Sequence, residues 1–294
     1  VLENPNGVLF NPVSVAEALT QYIDATTFTR NDLFYFNEAW HSWKDHSRFS
    51  GTMPEEALDK INEATAAAHL FIKKASHLFI TLGSAWVYQL TDQATGYAPN
   101  FVAANNHKAP ASWFTKKLLT PAEIEALYIP LVARLRNLNP GLQIIYTISP
   151  VRHVREGMVE NNRSKAALIQ VVHSLVEADA HSYYFPAYEI VIDDLRDYRF
   201  YSEDMVHPNY HATEYVWEKF LQACTTPETK HLIKEITAIN LAAAHKPFYV
   251  HSNQHQQFVH KTIEKIEALS AQYPYLDWSK QLELLKAQLL PYII

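Results

Sequence analysis

The sequence predicts an α/β protein: a mostly parallel sheet within three layers, followed by a helical extension. Three observations point there. Up to Cys224, short apolar runs alternate with stretches of helical periodicity, the pattern of strand–helix–strand units. Two of those runs, residues 77–84 and 142–148, are near-continuously apolar, as strands covered on both faces are. Beyond Cys224 the helical periodicity continues without a strand signal.

In chain order, Val1 and Leu2 read as the end of a strand, and residues 4–12 are dense in turn formers. Ser14 is the expected cap of a helix over 14–22, with Glu17 completing a capping box. Residues 31–43 carry Phe34, Tyr35, Phe36, Trp40 and Trp43, expected to pack between elements. A helix over 54–74 opens on Pro-Glu-Glu and closes on a lysine pair, which suits the dipole at both ends. The strand at 77–84 should deliver the loop 83–88 to the carboxyl edge of the sheet, where open α/β sheets bind ligands. A helix over 121–137, the strand at 142–148 and a helix over 164–179 follow. An aromatic strand over 183–191 comes next, with Pro186 marking an edge or bulge. Helices are expected over 227–244, 254–273 and 279–289, so the organisation is an α/β domain over 1–224 and a helical extension over 225–294.

Composition limits the function. The chain of 294 residues is 48% hydrophobic with a net charge of −6, and its 25 lysines and arginines are scattered, so no nucleic-acid partner is expected. The lone Cys224 excludes an internal disulfide and a multi-cysteine metal site. No apolar window is long enough to span a bilayer, and the opening residues do not read as a signal peptide, so a cytoplasmic protein without membrane contact is expected. The first residue is not Met, and the chain is expected to begin inside a longer gene product. The i, i+4 histidine pairs His207/His211 and His251/His255 lack further ligands at a convincing spacing, and no phosphate-cradling glycine loop occurs; no metal and no cofactor are expected.

The chemistry-bearing step is Asp204-Met205-Val206-His207-Pro208. A carboxylate and an imidazole on one turn can form an orienter–base pair, the carboxylate fixing one ring nitrogen while the other takes a proton. The competing interpretation is that Asp204 caps the next helix and His207 is an ordinary loop residue. Ser84, at a strand end after Gly83, is an alternative nucleophile, although its flanks lack the Gly-x-Ser-x-Gly pattern. His107, Arg152 and His153 could bind an anionic or sugar-like group at the sheet edge, or tie loops together as buried hydrogen-bonded side chains.

Five blocks, in order, resemble the GSCFA family. They are Asn-Pro-x-Gly-x-x-Phe-Asn-Pro from Asn4, Thr-Leu-Gly-Ser-Ala-Trp-Val-Tyr from Thr81, Asn-x-His-Lys from Asn105, Ser-Pro-Val-Arg-His from Ser149, and Arg-Asp-Tyr-Arg-Phe-Tyr from Arg196, running on to His207-Pro208. That family is similar to the SGNH/GDSL hydrolases, and the resemblance extends to about Phe258. It implies a flavodoxin-like α/β/α hydrolase with Asp204 and His207 as catalytic partners. Gly7 then corresponds to an oxyanion-hole glycine, and Asn105 is a substitute for the oxyanion asparagine, which Gly83-Ser84-Ala85-Trp86 lacks. The family's Gly-Ser-Cys-Phe-Ala segment, whose serine would be the nucleophile, is not in this sequence, so the nucleophile is expected upstream of Val1. The expected function is a serine hydrolase-like esterase or acyl transferase on an O-acyl ester of a glycan or small metabolite. The alternative is a non-catalytic carbohydrate- or peptide-binding module on a degenerate hydrolase fold. The sequence leaves the oligomeric state open.

Overall fold

The computed structural model describes residues 1–250 and 252–289. The fold is mixed α/β and ends in helices, as the sequence predicts. It packs as two units, Val1–Val216 and Trp217–Ile294, with the division inside a helix.

In the first unit, α1 (Pro12–Asp24) starts earlier than expected. Asn11, rather than Ser14, is its cap: the Asn11 side chain accepts the Ser14 N–H, and Pro12 opens the helix, where its missing N–H costs nothing. The aromatic segment forms a hairpin, β1 (Phe34–Phe36) and β2 (Ala39–His41), turned by Asn37 and Glu38, both at positive φ. α2 (Pro54–Ile72) leads into β3 (His77–Leu82). The loop expected over 83–88 shrinks to Gly83–Ala85, because Trp86 already begins β4 (Trp86–Leu90). β4 pairs antiparallel with β5 (Val102–Ala103) and β6 (Phe114–Leu118), a small sheet that the sequence reading missed.

α3 (Pro121–Leu138), β7 (Gln143–Ile148) and α4 (Met158–Ala178) follow, the last starting six residues before the expected Ser164. β8 (Ser182–Phe185) is shorter than the aromatic strand expected over 183–191. It stops where Pro186 withholds an N–H from the ladder, and the chain turns through a short α5 (Ala187–Glu189) and a π-helical turn, Ile190–Leu195. α6 (Tyr210–Cys224) runs across the division between the units.

The parallel sheet has the order β3–β7–β8. One of its faces, with Ile80, Leu82, Ile144, Tyr146 and Ile148, shares a single core with α1 through α4. On the other face Phe79 and Tyr183 are half-exposed. β3 therefore alternates in burial rather than being covered on both sides. All three parallel strands end on the same edge, which is the part of the fold that positions the site.

The second unit holds α7 (Pro227–Ala244), α8 (Asn253–Gln272) and α9 (Ser279–Lys286) around Ile239, Val259, Ile266, Trp278 and Leu285. His255 is buried there, with its Nε2 3.0 Å from Gln288 Oε1, while its sequence partner His251 lies outside the described residues. Among the described residues no helix is long and apolar enough to cross a membrane.

Candidate active site

Past β8, a 3-10 turn (Tyr198–Phe200) brings Tyr201 into an antiparallel bridge with Pro208. The bridge closes a tight turn. Ser202 N–H donates to His207 O at 2.8 Å and Met205 N–H to Ser202 O at 2.9 Å, with Met205 at φ 58. Inside this turn Asp204 Oδ1 accepts the N–H groups of Val206 and His207 at 2.9 and 3.0 Å, and Asp204 Oδ2 lies 2.6 Å from His207 Nδ1.

A carboxylate only accepts, so the ring proton sits on Nδ1 and the Nε2 lone pair is free. The backbone N–H of His207, followed by its ring, holds the Asp204 carboxyl down at about 2. Both side chains remain open to solvent, and Nε2 has no hydrogen-bond partner among the described residues. Asp204 is not the cap of α6. That role falls to Asn209, whose Oδ1 accepts the Ala212 N–H at 3.2 Å.

The segment after β7 meets this turn, and the end of β3 packs against that segment. Arg152 N–H donates to Val206 O at 3.2 Å, and His153 N–H donates to Asn161 Oδ1 at 2.9 Å. Gly83 is demanded by close approach: a Cβ there would lie 2.9 Å from Phe10 Cβ and 3.4 Å from His153 Nε2. The His153 ring lies tilted against Phe10, with centroids 5.5 Å apart and planes at 32°. Burial, then the charges of Lys165 and His207, pull His153 down to about 4, so it is neutral at physiological pH. Beneath them the buried Lys165 ammonium donates to Gly83 O and Ser149 O, each at 2.6 Å, and ties the two strand ends together. Burial lowers this lysine to about 7.

The remaining residues singled out in the sequence are engaged in contacts of their own. Ser84 is 1% exposed, with its hydroxyl 3.2 Å from Ser164 Oγ and accepting the Trp86 N–H, so it serves the junction of β3, β4 and α4. Gly7, at φ +83, donates its N–H to Asn4 O at 2.8 Å, and a Cβ there would run into His46. Asn105 Oδ1 accepts the His107 N–H. His107 Nε2–H donates to Ser42 O at 2.8 Å, its ring lies 4.7 Å from that of His41, and burial, then the charge of His41, brings it down to about 4. The structure thus gathers Arg152, His153, Asp204 and His207 at the sheet edge, and places Gly7, Asn105 and His107 around residues 41–46. Among the described residues no group of three or more His, Cys, Asp or Glu side chains could hold a metal ion.

The sequence reading missed Asn161, Ser164 and Lys165. A signal was present: with Leu168 and Val172 they keep the i, i+3, i+4, i+7 spacing of one helix face, so the inward stripe of α4 turns polar where it reaches the strand ends.

A family model described as "GSCFA family" matches residues 1–220, and one described as "GSCFA domain protein, C-terminal domain" matches residues 236–291. Comparison with curated proteins and with solved structures gave no match.

Proposed function

The chain belongs to the GSCFA family, and for this member we propose a serine hydrolase-like role, as an esterase or acyl transferase on an O-acyl ester of a glycan or small metabolite. One observation carries the reading: Asp204 Oδ2 lies 2.6 Å from His207 Nδ1 while Nε2 is unengaged. In that arrangement Nε2 takes the proton of an attacking hydroxyl, and Asp204 keeps the tautomer and steadies the imidazolium that results. Ser84 is buried and hydrogen-bonded to Ser164, so the proposal does not assign the attacking hydroxyl to it.

One observation favours the alternative, a carbohydrate- or peptide-binding module on a degenerate hydrolase fold. The N–H of Gly7, the expected oxyanion glycine, and those at the end of β3 already have partners: Gly7 donates to Asn4 O, Gly83 and Ser84 donate to Phe10 O, and Ala85 donates to Ser164 Oγ. Fluorophosphonate labelling and p-nitrophenyl acetate hydrolysis by the full-length protein, with His207→Ala beside it, separate the readings. Serine labelling that vanishes with His207 supports a triad, and His207-dependent turnover without labelling supports water. No turnover, with glycan or peptide binding retained, supports the binder.

A further inference from the structure

Arg152 is fastened to the turn that carries Asp204 and His207. Besides its backbone bond to Val206 O, its Nη1–H reaches Met205 O at 3.4 Å, a long contact. The guanidinium carbon lies 4.0 Å from the ring centroid of Tyr201 and 5.2 Å from that of Tyr198. Tyr201 is buried and held by its bridge to Pro208, so this platform is fixed. A guanidinium carries five donors in one plane, and stacking on an aromatic face engages the plane and not its edge. Most of the fork is therefore free.

Arg134, Arg136, Arg163, Arg196 and Arg199 each face a carboxylate, whereas among the described residues none stands within ion-pair distance of Arg152, as is also true of Arg30, Arg48 and Arg155, which lie away from the turn that carries His207. The carboxylate of the same turn, Asp204, is taken up by His207 and two N–H groups.

We propose that the Arg152 fork binds a carboxylate carried by the substrate, so that the ester processed at His207 bears a free acid group. This rests on the assignment of His207 as the base. A carboxylate is chosen over a phosphate because a single guanidinium matches a planar monoanion two bonds to two, whereas a phosphate dianion needs additional donors. The backbone N–H groups around the fork cannot supply them: those of Arg152, His153, Val206 and His207 all donate within the protein.

The test compares mono-p-nitrophenyl succinate with p-nitrophenyl acetate as substrates of the full-length protein. In parallel, the His207 ring signals are followed by NMR during titration with sodium propionate or inorganic phosphate. The wild type should show a kcat/KM at least about tenfold higher for the succinate ester, by the weight of a charge-assisted pair. The ratio should fall towards one in Arg152→Met and recover only in part in Arg152→Lys. Propionate should shift the His207 signals in the wild type and not in Arg152→Met. Turnover without preference for the charged ester overturns the inference and leaves the hydrolase reading standing. Arg152-dependent propionate binding without turnover upholds the binding inference and removes the hydrolase reading. Neither binding nor turnover overturns both, and phosphate bound more tightly than propionate overturns the carboxylate assignment.

Discussion

Two histidines in the first unit make opposite use of the same ring. His207 has a carboxylate on Nδ1, an open Nε2 and solvent around it. His107 donates its Nε2–H to a backbone carbonyl, packs between His41, Phe34 and Trp43, and keeps a buried Nδ1 with no partner among the described residues. The first arrangement fixes the ring through one nitrogen and leaves the other open as a proton site. The second excludes charge, because burial makes the imidazolium costly. A histidine is therefore fitted for proton transfer by what holds its second nitrogen and by where the first one points, rather than by the count of nearby histidines.

The comparison breaks first at His207. His207→Ala should lower kcat on the ester by at least about a thousandfold, or about 4 kcal/mol of barrier, by analogy with triad histidines. Its melting temperature should stay within about 2 °C, since a half-exposed ring contributes little packing. Asp204→Asn should cost at least about a hundredfold, because an amide can donate to Nδ1 and favour the wrong tautomer. Steady-state kinetics and calorimetry on the three proteins decide, and an active His207→Ala would erase the contrast.

His107→Ala should do the reverse, lowering unfolding free energy in urea by about 3 kcal/mol through a cavity and an orphaned carbonyl. The kcat per folded molecule should be retained.

The pH dependence of stability sharpens the same contrast. His107 and His153 both titrate near 4 in the folded chain, below the unfolded histidine value. The unfolded chain then binds the extra protons, so stability is unaffected above about pH 7 and declines as pH falls from about 6.5 towards 4. For His107 the full loss is about 3 kcal/mol by linkage and is complete only below about pH 4; about 2 kcal/mol of it is reached at pH 5, and urea midpoints at pH 7.5 and 5 should show that part in the wild type but less in His107→Phe.

The smallest effect is expected at Ser84. Removing its hydroxyl deletes the contacts to Ser164 and to the Trp86 N–H, so Ser84→Ala should cost about 1 kcal/mol and leave kcat within about twofold. A collapse of activity with normal folding would restore Ser84 as a nucleophile.

What the sequence made legible follows from range. β3, β7 and the helices were readable because their apolar pattern is local, and Asp204–His207 because both partners sit on one turn. β4 was read as loop because its partner β6 lies beyond an intervening stretch and carries Lys116 and Lys117, which do not advertise a strand. β8 was overextended because apolar residues continue past Pro186 into helical turns. Lys165 was passed over because a lysine on the inward face of a helix gains its meaning only when Gly83 O and Ser149 O converge on it.

The turn bearing Asp204 has a consequence for how the protein can change over time. Its bridge, its internal backbone bonds and the contacts of Asn209 Nδ2 to Arg199 O and Tyr201 O lie between Arg199 and Asn209, and Arg152 fastens the turn from outside through Val206 O and Met205 O. The spacing of carboxylate and imidazole is thus written inside one short cassette, while the sheet decides only where the cassette is aimed. Substitutions in the sheet can re-aim the pair without disassembling it, and a transplant of the segment would carry the pair's internal geometry to a new scaffold.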